Sequence, residues 1–336
     1  MGKFLPTTLT TSPHVQNKLD VRMIMRHVVY AMLPIVAYAV YLFGLGALAV
    51  VVTATMGCFV TESIYNRLTG REQSTSDYSS LITGILLGLT LPPSFPLWMT
   101  LVGSVVSILL GKMIFGGLGY NPFNPALVGR AFLQTAFPAS ITTWSATFAL
   151  DRFSSFPSST FAFPFSKPVV DGMSGATPLA AFKFECVATG VSDLFLGGVA
   201  GSIGETSSLL ILCCGAYLAI RKMLDWRIPV GIIASAAILT GILHAVDPTY
   251  PTPLFTVFSG GLMLGAVFMA TDMVTSPINP LAVWVYSAFI GMVVVVIRIW
   301  GGLPEGVMYV ILLANALVPL MNRLMIPRVY GVRASK

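Results

Sequence analysis

Long apolar segments with almost no charge constrain this chain more than any other feature. Charged residues make up 10% of its 336 positions, whereas a soluble domain carries about 25%. A membrane-spanning helix needs about 20 apolar residues, and fewer suffice when a broken helix is surrounded by protein. Ten segments qualify: 24–43, 45–64, 79–91, 96–115, 125–139, 193–220, 228–246, 254–271, 281–300 and 305–321. The sequence therefore predicts an all-α polytopic membrane protein with about ten transmembrane helices.

The placement of basic residues predicts the orientation. With a cytoplasmic N-terminus, 15 of the 19 lysines and arginines fall on the inner side, and Arg152, Lys167, Lys183 and Arg298 fall outside or at the outer edge. Because cytoplasmic loops carry an excess of basic residues, this orientation is favoured. Both termini are then cytoplasmic. The net charge of +6 reflects topology, so we expect the lipid bilayer and no nucleic acid as a partner.

Two short motifs recur in the same order and suggest an internal repeat. G-I-L-L-G at 84–88 matches G-L-M-L-G at 261–265, and F-G-G-L at 115–118 matches W-G-G-L at 300–303. Five helices per half would insert with opposite orientations, which predicts an inverted 5+5 repeat whose broken helices meet near the centre. Chance similarity is the alternative.

This pattern divides the chain into five parts. They are a cytoplasmic N-terminal segment (1–23), a first five-helix repeat (24–139), an outer-face loop (140–192), a second five-helix repeat (193–322) and a cytoplasmic tail (323–336).

The outer-face loop contains the stretch Asp171-Gly172-Met173-Ser174-Gly175-Ala176-Thr177. Small residues let a planar ligand approach the backbone, and the hydroxyl of Thr177 can be esterified. The stretch resembles the S-G-A-T flavinylation motif, in which the threonine oxygen carries FMN through a phosphodiester bond. The candidate cofactor-binding residues are Asp171, Ser174, Gly175, Ala176 and Thr177. A polar turn of small residues is the alternative.

A second candidate site opens the fifth apolar segment at 121–125. Two Asn-Pro steps halt regular structure there, and Pro125 suits the first turn of a helix. A half-helix N-terminus presents free N–H groups and partial positive charge, so Asn121 and Asn124 are candidates to hold a flavin carbonyl edge or an anion. Arg130 either belongs to this site, paired or hydrated, or extends to the inner surface.

Three acids lie near predicted helix breaks. Glycines weaken the sixth segment just before Glu205 and Thr206, and we take both residues as candidates for contacting a flavin. Glu205, Asp272 and Glu305 are candidates for ion coupling, because an acid within the membrane is a functional hypothesis by default. Helix N-capping and local hydrogen bonds are the structural alternatives.

Metal chemistry finds no support in the sequence. The four cysteines form no C-x-x-C pair, and the three histidines are scattered. These spacings match neither zinc nor iron–sulfur sites, so no metal site is predicted within this chain.

Further stretches resemble the RnfD/NqrB family in the same order along the chain, namely 116–126, 201–207, 269–277 and 304–306. The resemblance implies a urea-channel-like fold in the bacterial inner membrane. It also implies an electron-transfer subunit of an ion-translocating (Na⁺ or H⁺) ferredoxin/NAD oxidoreductase. Covalent FMN on Thr177, a flavin transferase using FAD, other Rnf-type subunits as partners and a noncovalent riboflavin are further implications.

Two other functions remain open. Inverted repeats, broken helices and midplane acids are typical of transporters, so a stand-alone solute channel or transporter without a redox role is the main alternative. A structural membrane anchor is the other. Neither explains the S-G-A-T stretch on the outer face.

Overall fold

The chain is built from helices joined by short turns and two longer irregular stretches. A computed structural model describes residues 20–71, 75–145, 147–164, 176–185, 187–205, 207–302 and 304–326. The first half contains α1 (Val21–Phe43), α2 (Leu45–Thr69), α3 (Ser79–Thr90), α4 (Leu97–Leu109), α5 (Pro125–Ala136) and α6 (Pro138–Ile141). Short 3-10 helices lie at Thr75–Asp77 and Met113–Phe115.

A short helix α7 (Pro178–Ala180) continues as a π-helix, Ala181–Glu185, between the halves. The second half contains α8 (Val191–Leu196), α9 (Ser208–Ile220), α10 (Arg227–Val246), α11 (Pro253–Phe258), α12 (Leu262–Leu264), α13 (Pro280–Trp300) and α14 (Val307–Leu324). A second π-helix, Gly265–Met269, follows α12.

Within the described ranges, six helices are long and apolar enough to cross a membrane. They are Val21–Phe43, Leu45–Thr69, Leu97–Phe115, Arg227–Val246, Pro280–Trp300 and Val307–Leu324. Two shorter apolar helices are Ser79–Thr90 and Ser208–Ile220. The prediction of an all-α polytopic membrane protein is confirmed. The count of ten spans and the inverted repeat stay predictions.

Two of the predicted segments are broken in the structure. The sixth ends as α8 at Leu196 and resumes as α9 at Ser208, which agrees with the predicted interruption around Glu205; Thr206 lies outside the described residues. The eighth, expected to be continuous over 254–271, breaks between α11 and α12. Gly260 there has φ of +63°, a left-handed conformation that glycine adopts without steric cost.

The break in the sixth segment packs against the end of α3. The backbone N–H groups of Ile203 and Gly204 donate to the carbonyls of Leu91 and Leu89, at 3.0 and 2.6 Å. The two halves also meet where α1 packs on α9 and α5 on α14. They therefore share one apolar core, built from buried residues of both halves.

Helices α2 and α3 approach closely through two glycines four residues apart. A Cβ at Gly84 would lie 2.4 Å from the Cα of Thr55, and one at Gly88 would lie 2.8 Å from the Cα of Val51. Small residues at this spacing let helix backbones pack tightly within a membrane. The G-I-L-L-G motif is therefore a packing surface.

A buried ion pair joins α2 to the turn after α4. The ammonium of Lys112 lies 2.9 and 2.8 Å from the carboxylate oxygens of Glu62 and donates to the hydroxyl of Ser79 at 2.5 Å. Lys112 is buried, and so is Arg130. The charge pattern places both among the 15 inner-side basic residues, but neither is exposed at the protein surface. The predicted orientation itself stays a prediction.

We predict that Gly84→Ala or Gly88→Ala destabilises the protein by about 1–3 kcal/mol, the usual cost of overpacking. The added methyl group would clash with backbone atoms of α2, which cannot relieve the clash by a change of rotamer. Thermal unfolding of detergent-purified protein measures the effect. Gly198→Ala is the matched control, since a Cβ there meets nothing within 4 Å. Wild-type melting temperatures for both α3 variants would contradict this packing.

Candidate functional site

Thr177 is buried at the start of α7. Its hydroxyl oxygen caps this helix by accepting a hydrogen bond from the backbone N–H of Ala180, at 3.2 Å. Pro178 follows as the first helical residue, a position that suits proline. Asp171, Ser174 and Gly175 lie outside the described residues. Of the candidate flavin segment, the structure therefore places Ala176 and Thr177.

Thr177 and Ala176 line a cavity of about 500 Å³. Three residues predicted from distant parts of the sequence line the same cavity: Arg130, Glu205 and Glu305. Apolar side chains from α5, α12 and α14 form much of the remaining wall, and Trp144 adds an aromatic ring. We call this space the Thr177 cavity.

Arg130 reaches this cavity from α5. It donates to the carbonyl oxygen of Thr90, the last residue of α3, and its other terminal nitrogen lies 3.7 Å from a carboxylate oxygen of Glu305. The alternative in which Arg130 extends to the inner surface is wrong, because the side chain is buried and engaged by protein groups.

Glu305 precedes α14 and does not cap it; that helix begins after Gly306 without a side-chain cap. The N-capping alternative is therefore wrong for Glu305. Its Oε2 faces Arg130, while its Oε1 is buried without a hydrogen-bond partner among the described residues. A buried oxygen without a protein partner is free to accept a hydrogen bond from a water or a ligand in the cavity.

Glu205 lies in the break between α8 and α9. A Cβ at Gly261 would lie 3.3 Å from its Oε1, and one at Gly201 would lie 3.0 Å from its Oε2. Side chains at these two positions would crowd the carboxylate, so the glycines make room for it. Gly201, in the predicted run of glycines before Glu205, therefore has a packing role.

Arg298 was missed as a site residue because its position near the end of the ninth segment placed it at the outer edge. The structure buries it instead. Its terminal nitrogens donate to the carbonyls of Thr256, at 2.6 Å, and Ser259, at 3.0 Å. These carbonyls belong to the end of α11, so Arg298 satisfies the backbone acceptors that the break between α11 and α12 leaves free. No local signal around residue 298 could have shown this.

Lys183 lies beside the end of α13. Its ammonium donates to the carbonyls of Arg298, at 2.9 Å, and Gly301. Burial lowers the pKa of the Lys183 ammonium from its ordinary value, because removing a charge from water disfavours the charged form.

Asn121, Asn124 and Asp272 line a separate cavity of about 90 Å³. Asn124 caps α5 by accepting from the N–H of Ala126 at 3.0 Å and donates to the carbonyl of Met269 at 3.2 Å. The Oδ1 of Asn121 has no partner within the described part of the chain. Asp272 accepts from the N–H of Val274 at 3.3 Å, a local turn contact. The candidate residues thus form two groups.

The Thr177 cavity fits a flavin better than the cavity at Asn121. Small-ligand pockets measure about 300–1,000 Å³, a range that includes the former and excludes the latter. Arg130 can donate to ring carbonyls, and the unpartnered Oε1 of Glu305 can accept from a ring N–H. Among the described residues, no group of three or more His, Cys, Asp or Glu side chains is arranged to hold a metal.

Sequence comparisons place the chain among known membrane proteins. The model of the NQR2, RnfD, RnfE family matches residues 8–331. A relative from Alcanivorax borkumensis, the D subunit of an ion-translocating oxidoreductase complex, is 39% identical over 97% of this chain and 97% of its own length.

Two further relatives have more specific names. The D subunit of the Na⁺-translocating ferredoxin:NAD⁺ oxidoreductase complex of Acetobacterium woodii is 38% identical over 99% of this chain and 98% of its own. The D subunit of the proton-translocating ferredoxin:NAD⁺ oxidoreductase complex of Clostridium ljungdahlii is 36% identical over 97% and 96%. With its apolar helices and this near full-length match, the chain is a multi-pass membrane protein of the NQR2, RnfD, RnfE family.

Proposed function

We propose that this chain is the electron-transferring D subunit of an ion-translocating ferredoxin:NAD⁺ oxidoreductase complex and carries FMN on Thr177. The family match and the names of relatives from three bacteria support the complex. The observation that carries the flavin proposal is the convergence of Thr177, Arg130, Glu205 and Glu305 on one cavity.

In this proposal the Thr177 hydroxyl oxygen loses its proton and takes the FMN phosphate of FAD as the pyrophosphate bond breaks and AMP leaves; the attached flavin would supply electron-carrying chemistry that side chains lack. Arg130 would donate to acceptor groups of the ring and Glu305 would accept from a donor group, while the apolar wall would exclude water. A flavin transferase that takes FMN from FAD is the proposed partner for attachment. Asp171, Ser174 and Gly175 are proposed to form its recognition segment with Thr177.

A second, noncovalent riboflavin is a proposal that rests on the family resemblance. Asn121 and Asn124 offer amide groups for it, and Thr206 stays a proposed flavin contact. The cavity beside the two asparagines, about 90 Å³, is too small for a whole flavin in this conformation.

We also propose the ten-span inverted 5+5 repeat, a bacterial inner-membrane location, cytoplasmic termini and residues 140–192 on the outer face. Contacts between corresponding segments of the two halves support the repeat. Helix α1, the first segment, packs on α9 of the sixth segment, and α5, the fifth, packs on α14 of the tenth. The two broken segments lie in the same half, so they do not count toward it.

We predict that wild-type protein, made in cells that contain the flavin transferase, fluoresces in a denaturing gel under ultraviolet light. Thr177→Ala should remove the whole signal, because no oxygen remains to carry the ester. Thr142→Ala is the matched control; this threonine lines the same cavity, and its hydroxyl donates to the carbonyl of Pro138 at 2.9 Å.

Size-exclusion chromatography must show that Thr177→Ala folds, since losing a helix cap costs about 0.5–2 kcal/mol. Peptide mass mapping then locates the flavin on the fragment that contains Thr177. A wild-type band without fluorescence, or a fluorescent Thr177→Ala band, would contradict the proposed attachment of FMN to Thr177.

We further predict that Glu205→Gln, Asp272→Asn and Glu305→Gln each reduce the ions moved per electron by roughly tenfold. Each change removes a carboxylate that can balance a cation inside the protein. Ion uptake by vesicles containing the complex measures the effect, and unchanged gel fluorescence shows that the flavin is still attached. Glu185→Gln, at an exposed acid, is the control. Normal coupled transport in all three variants would place ion coupling elsewhere.

A further inference from the structure

A third cavity, of about 220 Å³, lies beside the Thr177 cavity, and Pro304 lines both. The ends of α10 and α13 and the start of α11 surround it. Its walls include the apolar side chains of Leu179, Phe255 and Val295. Neither the proposed electron transfer nor the proposed ion coupling uses this space.

Two buried polar atoms on its wall have no partner. The Nε of Arg298 and the hydroxyl of Thr256 make no hydrogen bond with any described residue, and the two residues are 7% and 2% exposed. The terminal nitrogens of Arg298 are already held by backbone carbonyls. Because nearly all buried polar groups in proteins have a partner, these two groups are donors that a water or a ligand can satisfy.

Lys183 adds a third donor to the same cavity. Its ammonium makes two hydrogen bonds, and an ammonium has three protons to donate. No Asp or Glu is among the described residues that line the space, and the structure shows no ion pair between Arg298 and a described acid. Three residues with donor groups, two of them cationic, therefore line a cavity whose described lining contains no acid, and the nearest acids that act on Arg298 are Glu205 and Glu305 of the neighbouring cavity.

A pair of aromatic residues adjoins the cavity. Tyr250 lines the cavity and its ring centroid lies 6.3 Å from that of Trp300, which is 59% exposed. Tyr and Trp concentrate at the level of lipid headgroups. Phosphate is the abundant anion at that level, and apolar walls below it suit an acyl chain.

We propose that this cavity binds a phosphate group, supplied by a phospholipid headgroup, through Arg298, Thr256 and Lys183. Charge-assisted hydrogen bonds to phosphate oxygens would satisfy the unpartnered Nε and hydroxyl. Free phosphate offers the same chemistry without the acyl chain. The site is independent of flavin attachment.

The test uses the intact complex in mild detergent, in a Thr177→Ala background so that no FMN phosphate is counted. Native mass spectrometry and phosphorus assay measure what the chain retains. Thr256→Val and Lys183→Gln remove donors. Thr240→Val is the matched control, because this threonine lines the same cavity but its hydroxyl already donates to the carbonyl of Ala236 at 2.7 Å. Arg298 is left intact because it holds the end of α11.

We expect one phospholipid per chain in the parent and in Thr240→Val, and about tenfold less in Thr256→Val and Lys183→Gln. After delipidation, short-chain phosphatidylglycerol and inorganic phosphate are added separately, and the shift in melting temperature is compared. Stabilisation by inorganic phosphate alone, lost in Thr256→Val, would support the site with free phosphate as its source. Equal retention in all variants, or no phosphorus and no stabilisation by either probe, would overturn the proposal.

Discussion

The structure depends on how the carbonyls of helices that end inside the protein are satisfied. Within a membrane protein no water reaches such groups, and each unsatisfied one costs several kcal/mol. Helix α3 ends this way. The backbone N–H groups of Ile203 and Gly204 donate to the carbonyls of Leu91 and Leu89. The side chain of Arg130 donates to the carbonyl of Thr90. Helix α11 ends in the same way, with Arg298 donating to two carbonyls.

The arginines that satisfy these carbonyls bring positive charge into the protein interior, and acids lie close to them. At the 3.7 Å between Arg130 and Glu305, Coulomb attraction amounts to about 4 kcal/mol at an effective dielectric constant of ~20. Loss of hydration offsets much of that gain, so the pair adds little net stability. Its effect is to fix polar groups on the wall of a cavity large enough for a ligand. The helix breaks and the candidate site are thus one arrangement.

The sequence was sufficient for the long apolar helices because their limits are local, but it did not predict the break of the eighth segment at Gly260. Apolar runs end at glycine, proline or polar residues, and α10 and α13 lie within one residue of the predicted segments. The sequence also identified Arg130, Glu205 and Glu305 as candidate site residues, because a charged side chain within an apolar membrane segment is costly and is therefore a functional hypothesis by default. Their convergence with Thr177 required the fold.

Arg298 and Lys112 show why the rest could not be predicted. Each looked like a basic residue near a membrane surface. The partner of Lys112, Glu62, lies 50 residues away, and the carbonyls held by Arg298 became free only because α11 breaks at Gly260. Separation of Asn121, Asn124 and Asp272 into their own cavity is likewise tertiary. Asn124 and Arg130 lie on one helix, yet six residues along α5, about 9 Å, take them to different cavities.

Charge balance in the Thr177 cavity links the redox and ion-coupling proposals. Glu205 and Glu305 face Arg130 there, and Arg298 in the wall of the neighbouring cavity also interacts electrostatically with both acids, so the two acids and two arginines balance. A further negative charge about 6 Å from either carboxylate would be opposed by roughly 3 kcal/mol at an effective dielectric constant of ~20. A cation or proton that joins the acids relieves this repulsion, so each event favours the other by the same free energy. Asp272 stands outside this charge balance, because it lines the separate cavity beside Asn121 and Asn124.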